Sequence, residues 1–240
     1  MVQIFGGETV ISSVLRIRNR RRRATAQKRL PANFKNIEEL CSWHFRAFSD
    51  PGHINRVGLT LALRQLDEQP ALIIETGTSA WGTDSTRLWA KYIQNFGGIF
   101  HSVDIRQEPS DHLGALGTKT HLHVGDSVNF LQGFSIPAGY DKVNLAYLDS
   151  WDLDVTNPLP AMEHGLKEWK ALYPLLGPGS TVVVDDTPIE RFLLGETVSS
   201  DSSDPLWVPG KGTLILEDEA VREHFQIIYH HYNVVLKWVR

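Results

Sequence analysis

Five short apolar segments, each followed directly by an acidic residue or a Gly-Asp turn, constrain the fold of this chain more than any other feature. Strands that are apolar throughout, rather than alternating, are typical of a parallel sheet with helices on both faces. The sequence therefore predicts an α/β fold. The five predicted strands are Ala71–Glu75, Ile99–Asp104, His121–Val124, Val143–Asp149 and Thr181–Asp185. The helical patterns between them are Thr83–Asn95, Ser127–Phe134 and Pro160–Leu176.

The segments that flank this region have patterns of their own. A helix is expected from Asn36, whose side chain can cap it, and Glu39 completes a capping-box pattern. Near the end of the chain, Gln226–His230 and Val234–Val239 are separated by a short turn, which predicts a terminal antiparallel hairpin. The remaining predicted elements are a helix over His53–Leu66, a long loop over Glu190–Pro209 and a helix over Lys211–His224.

Composition places the chain among ordinary globular proteins. With 240 residues, 42% of them hydrophobic and 22% charged, it suits one large α/β domain with a short appendage. Its one cysteine, Cys41, lies in an apolar helical stripe, so we expect a buried thiol rather than a nucleophile. The sequence contains no apolar run that predicts a transmembrane segment and no signal-peptide core, so a cytoplasmic setting is expected.

The appendage is a basic arm over residues 1–33, and the domain proper covers 34–240. The arm holds eight lysine and arginine residues between Arg16 and Arg29, although the net charge of the whole chain is −4. The rest is therefore acidic, which argues against a nucleic-acid-binding groove in the domain. For the arm itself, the charge pattern favours a solvated segment, and binding to nucleic acid or to an anionic membrane face and contacts in a homo-oligomer stay open. We expect it to be dispensable for cofactor binding.

The acids at the strand ends indicate where a ligand binds. In an open parallel sheet, ligands bind at the carboxyl ends of the strands. The first turn lacks the strict G-x-G-x-x-G pattern, but Gly77 and Gly82 allow close approach of a ligand to the backbone. Glu75 and Asp84 bring negative charge to the same turn, which suits a ligand with an amino group or a sulfonium. Asp104 ends the second strand with a carboxylate that suits ribose hydroxyls.

Taken in order, these motifs resemble those of class I S-adenosylmethionine-dependent methyltransferases. The resemblance runs from Ala71 to Arg240. It implies a Rossmann-like, mostly parallel sheet of seven strands whose last strand is antiparallel. It rests on Glu75-Thr-Gly-Thr, His-Ser-Val-Asp104, Val-Gly-Asp-Ser127 and Tyr-Leu-Asp149.

The resemblance also implies roles for individual residues toward S-adenosylmethionine. Glu75 and Gly77 would line the methionine end of the cofactor, where Thr78 and Ser79 would add contacts. Asp104 would hold the ribose. The adenine would be flanked by Asp126 and Ser127. The spacing from Gly77 to Ser85 is longer than in the catechol-type enzymes.

Three acids follow the fourth and fifth strands and predict a metal site. Asp149, Asp185 and Asp186 would repel one another unless they are protonated, solvated or bridged by a cation, and oxygen ligands favour Mg²⁺. The Asp-Asp pair is similar to the metal-binding acids of cation-dependent O-methyltransferases of the catechol and macrolide-sugar types, and a cephalosporin hydroxylase shares it. The alternative is an acidic rim without a metal at the mouth of a cofactor site.

Methyl transfer to a hydroxyl also needs a base. The catechol-type enzymes use a lysine just after the acid that ends strand four. In this sequence Asp152 stands at that place. The candidates for the base are therefore Asp149 and Asp152.

These observations predict an S-adenosylmethionine-dependent O-methyltransferase. The expected reaction is Mg²⁺-dependent methylation of a vicinal diol on a sugar, another glycan acceptor or a small polyhydroxylated metabolite. One alternative keeps the fold but carries out hydroxylase-type chemistry. Another is a non-catalytic binding module that is attached through its basic arm.

Overall fold

The computed structural model describes residues 33–79, 82–188 and 209–240. Two features expected from the sequence, the basic arm and nearly all of the 190–209 loop, lie outside these ranges. None of the helices within the described ranges is long and apolar enough to span a membrane.

The described chain forms seven strands and the helices that connect them. The strands are β1 (Ala71–Thr76), β2 (Gly98–Asp104), β3 (Thr120–Val124), β4 (Leu145–Leu148), β5 (Thr181–Val184), β6 (Phe225–His230) and β7 (Val234–Trp238). The helices are α1 (Ile37–Ala47), α2 (Arg56–Arg64), α3 (Ser85–Phe96), α4 (Glu108–Leu113), α5 (Ser127–Gly133), α6 (Leu159–Leu172), α7 (Thr213–Leu216) and α8 (Glu219–His224).

All seven strands belong to one sheet, in the order β3-β2-β1-β4-β5-β7-β6. The first five strands are parallel to one another. Strand β7 runs antiparallel to both β5 and β6. This topology confirms the Rossmann-like, mostly parallel sheet and the terminal antiparallel hairpin that the sequence predicts.

Helices cover both faces of the sheet, as the apolar strands predict. Along β1, Ile73 packs into a core with α1, α2 and α3, whereas Leu72 and Ile74 pack into a second core with α5 and α6. Cys41 is buried in the first core, and burial raises the pKa of its thiol to about 11. The thiol is therefore structural.

Some boundaries differ from those predicted. The predicted helix over Lys211–His224 is two short helices, because the first ends at Leu216 and Asp218 caps the next by accepting a hydrogen bond from the amide of Ala220. The Asn36 cap is present, but the Glu39 carboxylate accepts from the amide of Lys35 rather than from that of Asn36. The helix expected over Pro160–Leu176 ends at Leu172, followed by a single 3₁₀ turn.

Candidate active site

A cavity of about 1220 Å³ opens where the strand order reverses, at the carboxyl ends of β1 and β4. Loops after β1, β2, β4 and β5 line it, together with the segment between α1 and α2. This is the switch point at which ligands bind in open parallel sheets. Of the residues predicted to contact cofactor, acceptor or metal, the cavity is lined by Gly77, Thr78, Ser79, Asp104, Asp149, Asp152, Asp185 and Asp186.

Glu75 does not line the cavity, and its position at the methionine end of a cofactor stays a prediction. Its carboxylate is fully buried behind the β1 turn. There it accepts four hydrogen bonds, from Ser85, Thr86, Trp89 and Ser102, at 2.5–3.0 Å. Burial raises the pKa of Glu75 to about 7, against the opposing effect of these donors. The acid joins β1, β2 and α3 through these bonds.

Asp126 and Ser127 are also absent from the cavity lining. Asp126 caps α5, because its side chain accepts a hydrogen bond from the amide of Asn129 at 2.8 Å. The Ser127 hydroxyl lies 3.2 Å from His164 Nε2 and contacts Ser150, which does line the cavity. Ser127 therefore supports the wall beside the expected adenine position without forming its surface.

The β1 turn is held close to the end of β4. Gly77 has a φ of +86°, and a Cβ there would lie 2.2 Å from the carbonyl oxygen of Asp149. Next along the chain, the amide of Thr78 donates to Asp104 Oδ2 at 3.1 Å, and the amide of Ser79 donates to Thr86 Oγ1 at 2.7 Å. A side chain at residue 77 would push the turn away from β4.

Asp104 ends β2 at the cavity wall, as predicted, but Arg106 covers it. The Asp104 side chain is only 4% exposed. Its Oδ1 accepts from the amide and Nε of Arg106, and its Oδ2 accepts from Arg106 Nη2 and the amide of Thr78. The Arg106 side chain is 65% exposed. Ribose hydroxyls could therefore replace the guanidinium without disturbing the backbone.

The three predicted metal ligands come together at the other end of the cavity, around a lysine that the sequence interpretation missed. Lys211 Nζ lies 2.5 Å from Asp149 Oδ1 and 3.1 Å from Asp186 Oδ2. Lys211 is only 3% exposed. Its flanking Gly210 and Gly212 were the only signal in the sequence of a closely packed segment.

Other donors complete this cluster. Asp185 Oδ2 accepts from Asn55 Nδ2 at 2.7 Å and from the Tyr147 hydroxyl, which also lies 3.2 Å from Asp149 Oδ2. Asp186 Oδ1 accepts from the Tyr232 hydroxyl at 2.5 Å. No group of three or more histidine, cysteine or carboxylate side chains with the geometry of a metal site occurs among the described residues.

Burial and mutual repulsion shift the pKa values in this cluster. Burial raises the pKa of Asp149 well above its ordinary value, Asp185 and Asp186 add to the shift, and Lys211 opposes it. Burial by itself lowers the pKa of Lys211, but the three carboxylates outweigh it, so the net shift is upward. Lys211 is therefore an ammonium that balances one of three carboxylates.

Two more groups near the cavity bear on proton transfer. Asp152 is exposed at the cavity mouth. His53, which the sequence interpretation did not consider, has its Nδ1 3.2 Å from the amide of Asn55. That amide can only donate, so Nε2 carries the proton of the neutral ring, and burial lowers the pKa of His53. As placed, His53 Nε2 is a donor that lies 3.5 Å from Thr83 Oγ1, and the ring is not a base.

No protein-family model matches the chain, and a comparison with curated proteins found no match. Among solved structures, the MycE methyltransferase of the mycinamycin biosynthetic pathway, in complex with Mg and SAH, is similar with a TM-score of 0.56 at 19% identity. The similarity covers 88% of this chain and 56% of the MycE chain, so this chain spans about half of its length.

Two further solved structures match along nearly their whole length. CalS11, a calicheamicin methyltransferase, has a TM-score of 0.54 at 14% identity, over 99% of both chains. The O-methyltransferase NovP has a TM-score of 0.52 at 14% identity, over 95% of this chain and 99% of its own. The chain therefore has the class I methyltransferase fold.

Proposed function

We propose that this protein is an S-adenosylmethionine-dependent O-methyltransferase. The observation that carries the proposal is the large cavity at the switch point, with a ribose-type carboxylate on one wall and an acidic cluster at the opposite end. Both features occur in a methyltransferase fold. The cavity has room for a nucleoside cofactor and an acceptor side by side.

The residues on the cavity wall suit S-adenosylmethionine, which supplies an electrophilic methyl group on a sulfonium. Asp104 binds the ribose hydroxyls once the exposed Arg106 side chain turns away. Thr78 and Ser79 line the wall next to it. Carboxylates outnumber basic side chains along the lining, and the resulting negative potential favours a ligand with a sulfonium and an amino group.

The opposite end of the cavity suits an acceptor with several hydroxyls, such as a sugar or a small polyhydroxylated metabolite. Asn55 is 2% exposed and lines the cavity, and its Oδ1 has no hydrogen-bond partner among the residues that the structure describes. A hydroxyl that donates to Asn55 Oδ1 would satisfy this buried acceptor. Sugars also appear among the similar proteins: one CalS11 structure is described as a TDP-rhamnose 3'-O-methyltransferase, and one MycE structure contains Mycinamycin VI.

The proton of the acceptor hydroxyl passes to a carboxylate. Asp149 and Asp152 both line the cavity and are the candidates. Asp149 is held at the inner end by Lys211, whereas Asp152 lies at the open mouth. A base must lie within hydrogen-bond reach of the hydroxyl it deprotonates, so the position of the acceptor decides between them.

The predicted Mg²⁺ stays a prediction, and the donor arrangement in this chain does not fit it. MycE structures contain Mg. In this chain, the Lys211 ammonium already bridges Asp149 and Asp186. Asp185 accepts hydrogen bonds from Asn55 and Tyr147. A divalent ion would have to displace these donors, so we assign no step of the reaction to a metal.

The test combines binding with turnover. Calorimetry of the full-length protein should detect stoichiometric binding of SAH. Incubation with S-adenosylmethionine and a panel of nucleotide-linked sugars and small polyols should produce an acceptor 14 mass units heavier, the mass of one CH₂. A folded protein that binds neither SAH nor S-adenosylmethionine would rule out the methyltransferase proposal.

A further inference from the structure

We propose that the ammonium of Lys211 is the built-in cation of the acidic cluster, and that the protein therefore works without a divalent metal. Lys211 acts here as a positioning residue that orients Asp149 and Asp186. The statement about turnover rests on the proposed methyltransferase function. The statement about the cation site stands on the geometry of the cluster alone.

The first argument is that every carboxylate oxygen of the cluster lies within hydrogen-bond distance of a donor in the protein. Lys211 serves one oxygen each of Asp149 and Asp186. Five further contacts reach the four remaining oxygens: Asp149 Oδ2 with Tyr147, Asp185 Oδ1 with the amide of Asp186, Asp185 Oδ2 with Asn55 and Tyr147, and Asp186 Oδ1 with Tyr232. In a site prepared for a divalent cation, several of these oxygens would instead point at the empty position of the ion.

The second argument is that the backbone fixes Lys211 in this place. The amide of Lys211 donates to the carbonyl of Asp186 at 2.9 Å, and the amide of Gly212 donates to Thr187 Oγ1 at 2.9 Å. A Cβ on Gly210 would lie 2.1 Å from that same carbonyl of Asp186. The two glycines thus let the segment lie directly against the end of β5. The lysine is a built part of the cluster and not a long surface side chain that happens to reach it.

The third argument concerns charge and burial together. Lys211 is 3% exposed and Asp185 4% exposed, so neither charge is well solvated. A buried ammonium persists only with carboxylate partners, and buried carboxylates need a cation. Lys211 lies between Asp149 and Asp186 and meets both needs. A divalent ion at the same point would be repelled by the positive charge of Lys211 close to it.

The test is a titration of the full-length protein with Mn²⁺, after treatment with EDTA and dialysis. Electron paramagnetic resonance measures how much Mn²⁺ is bound at each step. The wild type should show no bound Mn²⁺ up to about 1 mM, and EDTA should leave its SAH affinity and turnover unchanged. Lys211→Met keeps the length of the side chain but removes the charge. Mn²⁺ affinity should rise at least tenfold in this variant, because three carboxylates then lack a cation. The matched control is Lys170→Met, which removes an exposed charge on α6 and should behave as the wild type does.

The outcomes separate cleanly. One Mn²⁺ per chain in the wild type, displaced by Mg²⁺ and lost in Asp185→Asn, would overturn the proposal, as would a folded Lys211→Met that binds no Mn²⁺. If Lys211→Met fails to fold, the wild-type titration decides, and the double variant Asp149→Asn/Lys211→Met should regain folding because it removes one charge of each sign. A wild-type protein that does not bind SAH would count against the methyltransferase proposal, whereas the Mn²⁺ result would still test the proposal about the cation site.

Discussion

At the scale of single residues, the carboxylate of Asp104 has four hydrogen bonds before any ligand binds, and Arg106 makes three of them. Asp104→Ala should weaken binding of SAH by about 1–3 kcal/mol, because hydrogen bonds from the ribose to a buried charge are lost. Arg106→Ala should cost far less, because ribose hydroxyls replace its guanidinium. Calorimetry on the two variants and the wild type measures the difference.

The two changes also check each other. Both remove a side chain from the same ion pair, so a nonspecific effect of breaking that pair would weaken binding equally in both. If Arg106→Ala weakens SAH binding as much as Asp104→Ala does, the arginine itself holds the cofactor. The role assigned to Asp104 would then need revision.

The residue scale is also where sequence reasoning reached its limit. The acids at the strand ends could be predicted, because each one comes directly after an apolar segment of the sequence. The direction in which each side chain points could not be predicted. Glu75, for example, faces three elements of the core instead of the cavity. Lys211 was missed because its contact with Asp149 spans 62 residues, and its flanking glycines indicate close packing but not the partner.

At the scale of elements, the β1 turn depends on the missing side chain of Gly77. Gly77→Ala should lower the free energy of unfolding by about 2–4 kcal/mol, because a left-handed φ of +86° is combined with a clash against Asp149. Urea denaturation of both proteins, monitored by circular dichroism, measures this loss.

The matched control is Gly133→Ala at the end of α5. A Cβ at Gly133 would meet no atom of the described residues within 4 Å, and its φ is not in the left-handed region. This substitution should therefore be neutral, or stabilise by up to about 1 kcal/mol, since alanine favours a helix more than glycine does. Equal losses in both variants would contradict the contact between the β1 turn and the end of β4.

Elements were predicted better than their ends. The strands and the hairpin follow from periodicity, which is a local property of the sequence. The Lys211–His224 region was predicted as one helix because its composition is helical throughout, but the cap at Asp218 restarts it. The short helix α4 was not predicted, because six residues are too few for a helical pattern to appear.

At the scale of the whole molecule, the lowered pKa of His44 should make the free energy of unfolding depend on pH. Burial lowers the pKa of His44 to about 4, from 6.5 in an unfolded chain. Between these values the unfolded chain takes up a proton that folded His44 does not, so the free energy of unfolding falls as the pH drops. The loss amounts to at most about 3 kcal/mol and is absent above pH 6.5.

The variant that isolates this effect is His44→Gln, since glutamine can still donate to the carbonyl of Thr83 as the ring does. Glu75 works in the opposite direction, because its raised pKa of about 7 means that stability is lost as the pH rises from 4.5 toward 7. The quantity to compare is thus the difference between the wild type and His44→Gln in urea titrations at several pH values. A difference that does not change between pH 4 and 6.5 would contradict the shift.

The hydrogen bond between the amide of Lys211 and the carbonyl of Asp186 has a consequence for how this protein can diversify. It brings residue 211 back to the point that the chain leaves after β5, so the ends of the intervening stretch are fixed side by side. Loop-closure entropy grows only slowly with length, so a longer or shorter connection between these two fixed points would change the closure entropy little. The length of this connection can therefore vary while the sheet and the cluster around Lys211 stay constant.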